Sequence, residues 1–187
     1  MRTIISSEIQ EAINNTYCTI RQKVTDIDVL TVLHIGGEYS FIAHGTDTVK
    51  PEKLWVFDIG ADKTARDFFK HFPPTPAEIE NAIQVVEDEV MPLHRLLMAT
   101  SDLYTLDESI QDIARLTVFS EVQQGLTLAR TDVEQVFNRL AAIISGRPAS
   151  QDVLPTTNSF AATLLILREV MHHLGFMNIT VLENAES

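Results

Sequence analysis

The stretch Leu30-Thr31-Val32-Leu33-His34-Ile35-Gly36-Gly37-Glu38-Tyr39-Ser40-Phe41-Ile42-Ala43 decides the fold class. From Val29 to Val32 the chain is apolar and rich in β-branched residues. It turns at the paired glycines and resumes as Tyr39-Ser40-Phe41-Ile42-Ala43, then turns again near Gly45-Thr46-Asp47 before Leu54-Trp55-Val56-Phe57. Apolar runs of this length separated by such turn residues predict three consecutive short strands, most simply an antiparallel meander.

On the N-terminal side, Ile9, Ala12, Ile13, Thr16, Tyr17 and Ile20 recur at helical spacing, with Ser6 or Ser7 placed to cap, and predict a helix over 8–22. On the C-terminal side a short helix is expected over 62–70. Thr75 as cap, Pro76 at the first helical position and Glu78 completing a capping box then open a long helix. Its stripe runs through Ile79, Ile83, Val86, Val90, Leu93 and Leu97, and Pro92 within it predicts a kink. A helix over 108–119 and one opened by the capping box Thr131-Asp132-Val133-Glu134 follow. The last helix starts at Thr157 or Asn158 and stops at Gly175, and Ile179-Thr180-Val181-Leu182 reads as a final strand. The pattern is that of one α/β domain over 1–187, with its hairpins first and its helices later.

Composition removes several function classes. The chain has 187 residues, 26 acidic against 14 basic side chains and a formal charge of −12, a field that disfavours nonspecific nucleic-acid or anionic-lipid binding. No apolar run is long enough to span a bilayer and the first residues lack a signal-peptide core, so a cytoplasmic protein is expected. The single Cys18 excludes an internal disulfide framework. Nine carboxylates against Arg95 alone lie between 76 and 112, a solvated face or a docking face for a basic partner. Lys50, Lys53, Lys63 and Arg66 either give a local positive field near the hairpins or are simply solvated. There is no HExxH pair, and His172 and His173 point about 100° apart on a helix, so no metal site is expected. The paired glycines could turn backbone amides toward an anion, although in a hairpin they also serve as an ordinary turn.

At this turn the chain resembles the exopolyphosphatase and guanosine-pentaphosphate phosphohydrolase (Ppx/GppA) family of the actin-like ATPase superfamily. The second lobe of that family's catalytic module carries a D-I-G-G-G-S-T-E hairpin, preceded by an I-S-G-x-E-E-A helix and followed by a third strand and a P-P-T-P-E-E-like helix start. Here Ser7-Glu8-Ile9-Gln10-Glu11-Ala12 is similar to the helix motif, His34 to Phe41 to the hairpin, and Leu54 to Gly60 to the third strand. Phe72-Pro73-Pro74-Thr75-Pro76-Ala77-Glu78-Ile79 is similar to the helix start, and Leu154 to Val181 to the closing helix and strand. Phe57-Asp58-Ile59-Gly60-Ala61 also looks like an actin-type D-I-G turn, but its place after two strands suits the third-strand assignment better.

The resemblance implies a ribonuclease H-like lobe, equivalent to the second of two, with a first lobe expected before Met1. It implies a catalytic base at Glu11, for which a solvated helix glutamate is the alternative, and phosphate binding at Gly36, Gly37 and Ser40. It also implies Mg2+ for any hydrolysis. The departures are marked: the hairpin's aspartate falls on His34, its third glycine on Glu38, its serine on Tyr39, its threonine on Ser40 and its closing glutamate on Phe41. A later glycine-rich phosphate loop corresponds to Leu106-Asp107-Glu108-Ser109, without glycines. The expectation is a catalytically degenerate protein that binds a phosphorylated ligand or a protein partner. The alternatives are a residual phosphohydrolase using Glu11 and an interaction module that forms a homodimer or pairs with a separate first lobe.

Overall fold

The structure is a computed structural model that describes residues 6–46, 49–97, 102–117, 120–122 and 125–183, the side chains of 120–122 excepted. Helix α1 (Ser7–Lys23) is capped by Ser6, whose hydroxyl accepts from Ile9 N. The meander follows as β1 (Leu30–Ile35), β2 (Ser40–Gly45) and β3 (Lys53–Phe57), antiparallel throughout, with His34 opposite Phe41 and Ser40 opposite both Ile35 and Phe57. Asp47, expected in the second turn, lies outside the described residues.

Helix α2 (Ala61–Phe68) leads to α3 (Pro76–Val90). The capping box predicted at Thr75 is present: Thr75 N donates to Glu78 Oε2 at 2.7 Å and Glu78 N to Thr75 Oγ1 at 3.3 Å. Glu78 Oε1 also accepts from Lys70 N at 3.0 Å and lies 2.9 Å from His71 Nδ1. These bonds, the Thr75 amide first, lower its carboxyl from 4.5 to about 2. A carboxyl whose folded pKa is depressed stabilises the fold above its unfolded pKa and loses that contribution as pH falls toward the folded value. Between pH 4.5 and about 2, the melting temperature of the wild-type protein is therefore expected to fall more steeply than that of Glu78→Gln. Parallel curves over that window would contradict the capping geometry.

The predicted kink at Pro92 is replaced by a stop. α3 ends at Val90 and Pro92 sits in a 3₁₀ turn, Met91–Leu93. Proline has no N–H to donate and its ring crowds the carbonyl four residues back, which the end of a helix tolerates and its interior does not. Leu93 and Leu97 still continue the buried stripe. Strand β4 (Asp102–Thr105) then runs parallel to β1. Helix α4 (Glu108–Arg115) ends short of the predicted 119, through Leu116 N to Ile113 O and Thr117 N to Ala114 O; residues 118 and 119 lie outside the described set.

A hairpin of β5 (Ser120–Val122) and β6 (Gly125–Ala129) feeds directly into α5 (Arg130–Ile144). The capping box expected at Thr131 is absent: Ala129 is the N-cap, and the helix begins where Arg130 N donates to Met177 O. Helix α6 (Asn158–Leu174) is capped by Thr157, whose hydroxyl accepts from Phe160 N, and stops at Gly175 with φ 78°, followed by β7 (Asn178–Leu182). The seven strands lie in the order β3-β2-β1-β4-β7-β6-β5, so the meander is extended by three strands absent from the sequence reading.

Alternation sends the two sides of each strand to different cores. Leu30, Val32, Phe41, Ala43 and Leu182 meet Ile13, Tyr17 and Ile20 of α1. Leu33, Ile35, Ile42, Phe57, Leu103, Ile179 and Val181 face the larger core built with α2 to α6. Every residue of α6 from Phe160 to Leu167 is buried, the mark of a helix enclosed on all sides.

Candidate functional site

The parallel strands β1 and β4 end side by side, and the loops that leave them meet. In open α/β sheets, ligand sites form beyond the carboxyl ends of parallel strands, so this is the position to examine for chemistry. Here the contact is between His34 and Ile35 of β1 and Asp107, the residue that opens α4.

Asp107 is the N-cap of α4, yet its side chain makes no cap bond to that helix. Both oxygens turn instead to β1. His34 Nδ1 lies 2.6 Å from Oδ1, and Ile35 N donates to Oδ2 at 2.7 Å. The carboxylate is only 9% exposed, so the two bonds form in a shielded place where charge-assisted contacts are strong. Asp107 N is held in turn by Thr105 Oγ1 at 3.0 Å.

The paired glycines are engaged as well. Gly36 N donates to Tyr39 O at 3.0 Å and closes the hairpin. The carbonyls of Gly36 and Gly37 accept from the first amides of α2: Ala61 N to Gly36 O at 2.8 Å, and both Asp62 N and Lys63 N to Gly37 O at 2.9 Å. This turn thus offers its oxygens to a helix start, where unpaired N–H groups need acceptors. The approach is close enough that a Cβ on Gly37 would stand 2.7 Å from Asp62 Oδ2.

Glu38, at the hairpin tip, pairs with Arg66 through two bonds, Nη1 to Oε1 at 2.8 Å and Nη2 to Oε2 at 3.0 Å. Hydrogen bonding to Arg66 holds the Glu38 carboxyl below its usual range, and the same contact raises Arg66. Lys63 lies 3.3 Å from Asp67 and 3.8 Å from Asp58. Two of the four basic side chains near the hairpins are therefore already neutralised by neighbours.

Of the residues singled out for catalysis or phosphate binding, Gly36 and Gly37 stand at this junction. Ser40 is 1% exposed, opposite Ile35 and Phe57, so its hydroxyl faces the large core on the other side of the sheet from His34. Its Oγ has no hydrogen-bond partner among the described residues. Glu11 lies on the exposed side of α1, two residues from the buried Ile13, and makes no hydrogen bond or ion pair with any described residue. In the sequence Asp107 stands out only through the resemblance, within the glycine-free stretch Leu106-Asp107-Glu108-Ser109. Its partners lie 72 and 73 positions earlier, and no local pattern announces them.

The donor set does not suit Mg2+. That ion takes oxygen ligands in near-octahedral geometry. Here an imidazole stands where the resemblance implies an aspartate, both oxygens of Asp107 are committed to β1, and Glu38 is paired with Arg66.

No family sequence model matches the chain, and no curated protein is similar to it in sequence. Solved structures do match. The crystal structure of the type II variant of the Aquifex aeolicus Ppx/GppA phosphatase superposes with a TM-score of 0.74 at 16% identity, covering 93% of this chain and 59% of that one. An exopolyphosphatase from Cytophaga hutchinsonii gives 0.71 at 14% identity, over 93% of this chain and 60% of its own. An exopolyphosphatase-like protein gives 0.68 at 14%, over 95% and 62%. The chain thus spans about three-fifths of each neighbour's length. Over the part that superposes, the chain has the α/β fold of the Ppx/GppA phosphatase structures.

Proposed function

We propose that this chain is an exopolyphosphatase-related domain that does not hydrolyse phosphoanhydrides and acts by binding. The observation that carries the reading is the Asp107 carboxylate seated on the Ile35 amide and the His34 ring at the end of β1. Phosphoryl transfer needs cations, amides and other donors aimed at phosphate oxygens. A shielded carboxylate at that place takes up the available donors and repels an incoming anion. Glu38 adds a second negative group at the hairpin tip and neutralises Arg66 in doing so.

The closed junction favours a protein partner, either a second copy or a separate lobe, over a phosphorylated small molecule. The competing reading is a residual phosphohydrolase in which Glu11 activates water and Gly36, Gly37 and Ser40 hold phosphate. It requires a buried hydroxyl to reach the opposite side of the sheet.

Purified protein incubated with Mg2+ and either polyphosphate or guanosine pentaphosphate is expected to release no orthophosphate above the buffer rate. Release that scales with protein concentration and disappears in Glu11→Ala would overturn the non-hydrolytic reading.

A further inference from the structure

Near the C-terminal ends of α3 and α6, these two helices bring together three side chains that the hairpin site does not use. Glu169 and His173 lie one turn apart on α6, and Glu87 reaches them from α3. His173 Nε2 stands 3.1 Å from Glu87 Oε1 and 3.2 Å from Glu169 Oε2, and the three ligand atoms lie within 4.8 Å of one another. Glu169 is 1% exposed. Arg168 Nη1 bonds its other oxygen and also binds Glu134 through Nε at 2.8 Å.

One imidazole nitrogen carries at most one proton, yet two carboxylates converge on it. The buried Glu169 and the partly exposed Glu87 repel each other across that nitrogen, and a cation seated among the three ligand atoms relieves the repulsion. From these contacts we infer that Glu87, Glu169 and His173 form a binding site for a divalent transition metal of the Zn2+ class. The spacing suits such an ion. Tetrahedral bonds of about 2.0–2.1 Å place neighbouring ligand atoms about 3.3 Å apart, close to the two nitrogen-to-oxygen distances here. An imidazole ligand suits Zn2+, Co2+ or Ni2+ and not the oxygen-seeking Mg2+ or Ca2+.

The surroundings fit the same assignment. Arg168 holds the outer oxygen of Glu169 and so orients the inner one, as outer-sphere partners do around metals. His173 is also positioned through its backbone, whose carbonyl lies 2.6 Å from His94 Nδ1. An open cleft of about 690 Å³, lined by Asp88, Met91, Pro92, His94, Arg95 and His173, borders the cluster at His173. Three protein ligands beside an open cleft leave a coordination position for water or another small ligand.

The test uses the full chain, freed of metal by chelation and titrated with Zn2+ by calorimetry and with Co2+ by visible absorption. One equivalent is expected to bind, with a ligand-field spectrum of low coordination number. Glu87→Gln and His173→Gln are each expected to weaken binding at least about tenfold, while His172→Gln, one residue outside the cluster, leaves it unchanged. Glu87 is partly exposed, so its amide variant keeps the fold, which an unfolding curve checks. Absence of binding, binding unchanged in Glu87→Gln and His173→Gln, loss of binding in His172→Gln, or equal competition by Mg2+ would each overturn the assignment.

Discussion

Gly60→Ala is expected to lose about 3 kcal/mol of stability, read as a fall in melting temperature of about 6–12 °C. Gly60 caps α2 with φ −150° and ψ 165°, an extended conformation open to any residue, so backbone strain contributes nothing. The whole cost is steric. A Cβ there would stand 2.5 Å from Gly37 O, 2.7 Å from Gly37 C and 2.6 Å from Glu38 C, all backbone atoms of the hairpin. The hairpin cannot retreat without stretching the bonds from Ala61, Asp62 and Lys63 to the carbonyls of Gly36 and Gly37. Overpacking commonly costs about 1–3 kcal/mol, and a rigid neighbour puts this case at the upper end. Gly146→Ala is the matched control. Its φ of 108° is strained for alanine, but among the described residues beyond its chain neighbours no atom lies within 4 Å of the added carbon, so a loss of about 1 kcal/mol is expected. Equal losses in the two variants would show that the hairpin does not rest on α2 as described.

That junction also marks where sequence reading succeeds and where it stops. The meander, the start of α3 and the end of α6 are written in neighbouring residues: Gly36-Gly37, the Thr75-Pro76-Glu78 cap and Gly175 each act within a few positions. Such signals are local, and they hold. The strands β4, β5 and β6 are four, three and five residues long. Runs that short carry little alternation; β4 pairs with β1 and β7 and β6 with β7, far away along the chain, and β5 is an edge strand held by β6 alone. The same distinction governs α5. Thr131 and Glu134 have capping-box spacing, yet β6 delivers the chain to the helix two residues earlier, with Ala129 as the N-cap, and Met177 O takes the first amide. Both candidate sites depend on long-range contacts. The pair His34 and Asp107 and the trio Glu87, Glu169 and His173 join residues more than 70 positions apart. The adjacent histidines 172 and 173 drew attention as a pair, whereas the geometry selects one of them and supplies a partner one helical turn back.

Asp107→Ala is expected to cost about 3 kcal/mol, and Asp107→Asn about half of that. The carboxylate accepts from Ile35 N at 2.7 Å and contacts His34 Nδ1 at 2.6 Å. Ile35 is 4% exposed. Deletion of the acceptor leaves a shielded amide without a partner, a loss of about 1–3 kcal/mol, and removes a charge-assisted contact to His34 as well. Asparagine retains one carbonyl oxygen and can keep the Ile35 bond, though without the charge. Chemical denaturation of the three proteins measures both losses. The same variants separate an occupied anion position from an ordinary loop contact. If Asp107 closes the position a phosphate would take, the amide in Asp107→Asn relieves the repulsion while the hairpin keeps its shape, and affinity for inorganic tripolyphosphate is expected to rise at least about tenfold over the wild type. That gain converts to about 1.4 kcal/mol in favour of the anion, while the same substitution makes the folded protein less stable. Opposite signs on binding and stability are the mark of a group that holds the junction shut. A variant that loses stability without gaining affinity would make Asp107 a structural tie between β1 and α4, and would remove the main support for a degenerate phosphate loop.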